Sequence, residues 1–175
     1  MNEPGSRFWS FSLAVYSGSG VQAECLDLQE RHGIDVNLLL FCAYVGAVCG
    51  VVLPAAALRE ARDLVGVWHR DVVQELRGAR RALKPFAAAV PSPPGGSAAE
   101  LRGTVKAAEL EAERIEQAML EAWSAERIKA WPRAEPETAV AANIQSLLAL
   151  CGQAAEPQAM PAHLAAASLA VASSI

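Results

Sequence analysis

Hydrophobic residues recur every three to four positions along most of the chain, which is the period of an α-helix with one buried face. Phe8, Trp9 and Leu13 begin this pattern, and the run SGSG at 17–20 ends the first segment. Ser6 stands directly before that segment, where a serine side chain commonly caps a helix. Strict alternation of apolar and polar residues, which is typical of β-strands, is hard to find. The sequence therefore predicts an all-α fold, a bundle of about five to six helices.

The third predicted helix is the most apolar part of the chain, and Asp35 stands at its start as a cap. No charge occurs between Leu38 and Leu58, a run of 21 residues that is long enough for a membrane span. Gly50 and Pro54 divide this run, so the uninterrupted helix measures roughly 21 Å at 1.5 Å per residue. A hydrocarbon core is about 30 Å thick. We therefore expect the central helix of a globular bundle and no stable membrane span.

A long fourth helix is predicted from Pro54, which suits a first helical turn, to Lys84. Gly66 and Gly78 interrupt its pattern and indicate either close helix contacts or a bend. Its apolar positions step by three and four, so one continuous stripe is expected to face the core. The members of that stripe are Leu58, Ala61, Val65, Trp68, Val72, Leu76, Ala79 and Leu83.

The second half of the chain contains a break and two further helices. Four prolines and two glycines in 85–96, PFAAAVPSPPGG, predict a linker. Ser97 is placed to cap a helix of some thirty residues, and 138–150 predicts one more helix. We expect a single helical domain over 1–156, and an Ala-rich tail over 157–175 that is a weak helix or disordered. The expected buried stripe of the thirty-residue helix is Leu101, Val105, Ala108, Ala112, Ile115, Met119 and Ala122.

Composition narrows the classes of function. The net charge is −4 and the pI about 5.4, so the whole chain has no general attraction to nucleic acid, and any anion binding must be local. The four cysteines show no metal-binding spacing and indicate a reducing compartment. The N-terminus lacks the cationic start of a signal peptide. We therefore predict a cytoplasmic protein, without a cofactor or a metal site.

One polar cluster lies between the second and third helices, and we call it the polar turn: Gln29, His32, Asp35 and Asn37. These residue types can perform acid–base chemistry, but a metal site usually needs several converging ligands. A structural interpretation explains most of them, because Asp35 caps a helix and His32 suits the negative end of the preceding helix. Asn37 is different, since an amide entering an apolar helix needs hydrogen-bond partners.

A second polar cluster lies near the end of the fourth helix, and we call it the basic helix end: Arg77, Arg80, Arg81 and Lys84. Spacings of three, four and seven place these cations along one side of the helix, where they suit a phosphate or an acidic partner. Cations at a helix C-terminus also favour the helix dipole. Four cations without an acid between Glu75 and Lys84 exceed what that effect requires.

Three strings together resemble a bacterial family known as domain of unknown function 2390: WSFSLAVY from Trp9, VQAECLDLQERHGIDVNLLLF from Val21, and VWHRDVVQELRGARRALK ending at Lys84. The resemblance covers about residues 8–150 and implies no reaction, cofactor or substrate. One departure is Glu75, where the family usually has proline, and it implies a straighter fourth helix here. The residues that match the family pattern are Trp9, Tyr16, Cys25, Leu28, Gln29, Gly33, Asp35, Val36, Asn37, Trp68, Val72, Leu76, Arg77, Arg80 and Lys84.

The resemblance implies that the polar turn and the basic helix end belong to one shared feature. Our hypothesis is a polar patch in which Asp35 orients an arginine, and Arg80, Arg81 and Lys84 face an anion or an acidic partner. The first functional prediction is a non-enzymatic interaction or assembly factor that binds an acidic or phosphate-bearing partner, either another protein or a second copy. The alternatives are a small-molecule or phosphate-handling enzyme that uses the polar turn, and an RNA-associated accessory factor, which the acidic pI disfavours.

Overall fold

The computed structural model describes residues 6–89, 97–152 and 160–175, and helices dominate these ranges. A π-helical turn, His69–Val73, joins α4 to α5, and a 3₁₀ turn, Ile128–Ala130, follows α7. The one β-bridge among the described residues joins Val51 to Arg133. The predicted all-α fold is therefore confirmed. The helices are α1 Arg7–Tyr16, α2 Val21–His32, α3 Val36–Ala47, α4 Ala55–Trp68, α5 Gln74–Ala82, α6 Lys84–Ala89, α7 Ala98–Arg127, α8 Pro136–Leu150 and α9 Ala162–Ala172.

Helix ends follow the caps that the sequence predicts. The Ser6 hydroxyl accepts a hydrogen bond from the Trp9 amide at 3.0 Å, and the Asp35 carboxylate accepts one from the Asn37 amide at 2.8 Å. Gly33 ends α2 with φ +63°, a left-handed conformation that favours glycine. Ser97 and Glu100 form a capping box at the start of α7. These local signals fix where the helices begin and end.

The chain divides into two compact units. The first unit contains 1–64 and 117–175, and the second contains 65–116. In the first unit, α3 is buried on almost every side, as the prediction of a central helix requires. Among the described residues, no helix has both the length and the apolar character that are needed to cross a membrane.

Helix α8 packs closely on α3 in the first unit. At Gly46, a Cβ atom would lie 2.6 Å from the Val140 amide nitrogen, so only glycine permits this approach. Asn143, which is fully buried, accepts a hydrogen bond from the Leu53 amide at 2.7 Å. Its amide group donates to the carbonyl oxygens of Val51 at 2.9 Å and Cys42 at 3.2 Å. Asn143 thereby provides hydrogen-bond partners for the buried backbone groups of the turn between α3 and α4.

The C-terminal tail contains a packed helix. We predicted a weak helix or disorder from its alanines, but α9 buries Leu164 and Ser168 completely in the first unit. The Glu24 carboxylate accepts hydrogen bonds from the amides of His163, at 3.0 Å, and Leu164, at 2.8 Å. Glu24 therefore caps α9 from α2, a long-range contact that the tail sequence does not indicate. Residues 157–159 of this predicted segment lie outside the described residues.

The predicted linker is partly helical. Helix α6 covers Lys84–Ala89, so the prediction of a linker is wrong for 85–89. Proline is acceptable there because Pro85 lies in the first turn of α6, where an amide hydrogen is not needed. Residues 90–96 of the predicted linker lie outside the described residues.

The π-helical turn changes which residues of the long fourth helix are buried. A π turn contains an extra residue, so the positions after it rotate relative to a regular helix. Within the second unit, Val65 is buried as predicted, but His69 and Val73 are buried in place of Trp68 and Val72. The prediction of one continuous apolar stripe is therefore wrong beyond Val65. The expectation of a straighter helix, drawn from Glu75, gave no indication of this turn.

Candidate functional site

Helix α7 turns a polar face inward. Within the second unit, Glu109 and Glu116 are buried together with Ala112. Of the seven members of the predicted stripe only Ala112 is buried, and Leu101, at 53%, Ala108 and Ala122 are exposed. Apolar periodicity missed this face because its carboxylates are buried through specific partners, which a hydrophobic pattern does not reveal.

An ion-pair network joins α5 to α7 in the second unit. Arg77 donates to Glu109 at 3.1 Å and to Glu113 at 2.6 Å. Arg80 donates to both carboxylate oxygens of Glu109. The side chain of Arg77 is only 13% exposed, so the network is largely removed from water. Because later residues of α5 pair with earlier residues of α7, the two helices run antiparallel.

The electrostatics of Glu109 follow from this network. Burial alone raises the pKa of a carboxyl group, but the hydrogen bonds from Arg80 and Arg77 outweigh it and hold the pKa of Glu109 below 4.5. For Arg77, burial acts to lower the pKa, and the hydrogen bonds with Glu109 and Glu113 raise it instead. Glu109, Arg77 and Arg80 are therefore charged at neutral pH.

The basic helix end thus divides into two parts. Arg77 and Arg80 bind carboxylates of their own unit, and the expectation that Arg80 also faces an external partner stays a prediction. Arg81 and Lys84 are exposed. Asp35 belongs to the first unit and the arginines belong to the second, so the joint polar patch stays a prediction.

Replacing Glu109 with glutamine is expected to lower the free energy of unfolding by about 2 kcal/mol near neutral pH, because Arg80 loses its carboxylate partner and Arg77 keeps only Glu113. The partial exposure of Arg80 keeps this below the cost of breaking a fully buried pair. The pKa of Glu109 is depressed, so its stabilisation is complete above pH 4.5 and is lost as the pH falls through the lower folded-state pKa. Urea denaturation at several pH values measures both effects.

Glu111→Gln is the matched control, because Glu111 lies on the same helix and pairs with Arg114 at an exposed site. We expect little change in its unfolding free energy. Equal effects of the two substitutions would contradict a structural role for the network. So would a difference in unfolding free energy between the native chain and Glu109→Gln that did not decrease at all as the pH was lowered.

Beyond this network lies a cationic region, which we call the basic tip: Arg81, Lys84, Arg102 and Lys106. Lys84 begins α6, two residues after the end of α5, and Arg102 and Lys106 lie near the start of α7. Between 81 and 108 the sequence contains four cations and one acid, Glu100, which caps its own helix. Within the described residues, Lys84 and Lys106 form no ion pair, and Nε of Arg102 has no acceptor.

The polar turn has mainly structural contacts. Asp35 caps α3, and the side chain of Asn37 accepts a hydrogen bond from Nε2 of Gln117 at 2.9 Å in the first unit. Asn37 therefore has the partner that its burial requires, and Gln117 is a residue that the sequence reasoning missed. Gln29 and His32 lie in the last turn of α2 and are partly exposed. The enzyme alternative based on this turn stays a prediction.

A buried histidine–carboxylate pair lies in the second unit. Nδ1 of His69, in the π-helical turn, is 3.2 Å from a carboxylate oxygen of Glu116. A carboxylate in this position orients the imidazole ring and favours one tautomer. Sequence periodicity missed His69 because it predicted Trp68 on the buried face. Trp68 instead donates from its ring to the carbonyl oxygen of Ala112 at 3.0 Å.

The cysteines do not have the environment of nucleophiles. Cys25 and Cys42 are buried in the first unit. Burial, with a smaller contribution from Glu24, raises the pKa of the Cys25 thiol to about 12. Burial raises the pKa of Cys42 as well. Both thiols are therefore protonated at neutral pH, and a protonated thiol is a poor nucleophile.

The model of the family described as protein of unknown function, DUF2390, matches residues 7–120. The chain belongs to the DUF2390 family. The match contains the polar turn, the ion-pair network and the basic tip, and it ends within α7, whereas we expected the resemblance to reach about residue 150. No curated protein and no solved structure matches the chain. The DUF2390 match supplies no activity, so a function can be inferred only from the residues of the candidate site.

Proposed function

We propose that this protein is a non-enzymatic interaction factor that binds an acidic or phosphate-bearing partner through the basic tip. The observation that carries the proposal is the local charge: four cations against one acid over 81–108, in a chain of net charge −4. The only acid, Glu100, already accepts the Ser97 amide at 2.7 Å. An anionic partner is therefore attracted to this part of the chain and repelled by most of the rest.

The ion-pair network supports this proposal in a second way. Glu109 and Glu113 neutralise Arg77 and Arg80 and connect α5 to α7. The connection fixes α5 and α7, which carry Arg81, Arg102 and Lys106, so less conformational freedom is lost when a partner binds. The arginines of the predicted basic helix end thus act as positioning residues, and the contacts pass to Lys84, Arg102 and Lys106.

Replacing Lys84, Arg102 and Lys106 together with glutamine, the tip variant, is expected to weaken binding to anionic probes about tenfold, since an exposed ion pair contributes roughly 0.5 kcal/mol. The probes are phosphocellulose and immobilised poly-L-glutamate. The measurement is the salt concentration at which each protein elutes. The native chain should elute at higher salt than the tip variant.

The control replaces Arg31, Arg62 and Lys129 with glutamine. These three cations are exposed and each pairs with a nearby carboxylate, so the control loses the same charge at other sites. We expect the control to elute with the native chain. Elution of both variants at the same salt concentration would refute the proposal, because net charge alone would then explain retention.

A further inference from the structure

We infer that the surface beneath α9 is a helix-binding site of the first unit, and that α9 is a detachable helix which closes this site until a partner's helix displaces it. We call this surface the α9 seat: Gly18, Gly20, Glu24 and the parts of α1, α2, α3 and α8 that contact α9. The seat belongs to the first unit and the basic tip to the second, so the inference does not depend on the proposed function.

A carboxylate in the seat holds the start of the helix. The two oxygens of Glu24, on α2, accept hydrogen bonds from the amides of His163 at 3.0 Å and Leu164 at 2.8 Å. Pro161 stands at the N-cap position of α9, and no side chain there accepts a hydrogen bond. Every helix has free amides in its first turn, and a carboxylate is favourable at that positive end. This contact therefore recognises the start of a helix and not the particular sequence of α9.

Two glycines of the seat restrict which helix fits. A Cβ atom at Gly20, where φ is +82°, would lie 2.7 Å from the ring of His163. A Cβ atom at Gly18 would lie 3.2 Å from the Cβ of Ala167, one turn further along α9. The chain between α1 and α2 thus approaches the helix closely. A partner's helix must therefore present small residues one turn after its start, as α9 does with Ala167 and Ser168.

Few contacts of α9 oppose its release. Leu164 and Ser168 are the residues of α9 that are completely buried, and Leu164 alone of these is large. An isolated helix of this length is marginal in water, so α9 depends on the seat for its helical form. Elements with few buried apolar contacts open locally, at a lower free energy than the whole protein unfolds. By contrast, α3 is buried from Asn37 to Ala47.

Hydrogen exchange of the full native chain measures the release of α9. We expect protection factors at least about tenfold lower for the α9 amides than for those of α3. Glu24→Gln should lower the α9 values by about a further tenfold and leave α3 unchanged, because a neutral amide oxygen accepts more weakly than a carboxylate. The control is Glu30→Gln, at an exposed position of the same helix, and it should change neither helix. Equal protection of α9 and α3 would show that α9 opens only when the whole protein unfolds, which overturns the inference.

A fluorescent peptide with the sequence of 160–175 is the probe for a partner's helix. Fluorescence anisotropy measures its binding to the native full chain and to the full-length variant Leu164→Asp, whose own α9 is released because a charge cannot be buried in the seat. The released variant should bind the peptide at least about tenfold more tightly, since apparent affinity falls with the fraction of seats that are open. Adding Glu24→Gln to the released variant should weaken binding about tenfold.

Each remaining outcome counts against the inference. Equal binding of the peptide to the native chain and to Leu164→Asp overturns the competition, and binding that is unaffected by Glu24→Gln overturns the seat. Loss of helix content beyond α9 in Leu164→Asp, measured by circular dichroism, overturns the detachable helix, because the rest of the first unit must stay folded. A native dimer in light scattering that dissociates in Glu24→Gln would assign the seat to the α9 helix of a second copy and overturn a different protein as the partner.

Discussion

Replacement of Asn143 with alanine is expected to lower the free energy of unfolding by about 4 kcal/mol, because two buried backbone groups lose their partner. The Leu53 amide loses its acceptor and the Val51 carbonyl oxygen loses its donor, whereas the Cys42 carbonyl oxygen lies inside α3 and keeps its place in the helical hydrogen-bond ladder. Each such group costs roughly 1–3 kcal/mol when it is left unsatisfied away from water. Urea denaturation monitored by tryptophan fluorescence measures the change.

Gln145→Ala is the control for Asn143→Ala, because Gln145 is exposed on the same helix. It should change the unfolding free energy by less than about 0.5 kcal/mol. A loss of under about 1 kcal/mol in Asn143→Ala would show that the turn after α3 rearranges or admits water, and that Asn143 does not hold it.

Replacement of Gly46 with alanine is expected to lower the unfolding free energy by about 3 kcal/mol, at the upper end of the usual cost of overpacking. The added Cβ would lie 2.6 Å from the Val140 amide nitrogen and 2.7 Å from its Cα. These atoms belong to the backbone of α8, which cannot rotate away as a flexible side chain can. The helices α3 and α8 must therefore separate, and the contacts along their whole interface weaken.

Gly78→Ala is the matched control, and it should have the opposite sign. A Cβ at Gly78 would meet nothing within 4 Å among the described residues, and the same is true of Gly66. Alanine is a better helix former than glycine, so Gly78→Ala should stabilise the protein by up to about 1 kcal/mol. If Gly46→Ala were neutral, the close approach of α3 and α8 in solution would be excluded.

These glycines show that the sequence reveals where a helical glycine stands but not whether another helix packs closely against it. We interpreted Gly66 and Gly78 as marks of close contact or a bend, because glycine interrupts a helical pattern. The close contact lies at Gly46, inside an apolar run where glycine drew no attention. A helical glycine has the same local signature in both cases, and only the position of the neighbouring helix distinguishes them.

At the candidate site, too, the sequence revealed residues that are close along the chain but not their distant partners. The basic helix end was visible in the sequence because its cations lie close together along the chain. Its internal partners, Glu109 and Glu113, are about thirty residues away and lie among other charges of α7. Nothing local separates a glutamate that binds a buried arginine from one that faces water.

The sequence by itself determined the properties that depend on neighbours along the chain. The all-α class, the caps at Ser6, Asp35 and Ser97 and the membership of the DUF2390 family belong to this group, because periodicity, capping and motif strings are local. Tertiary structure decided which face each helix buries. The π-helical turn at 69–73 buried His69, and Glu24 caps the distant helix α9. These outcomes depend on contacts between residues far apart in the chain, whose energies exceed the small local preferences that a sequence pattern records.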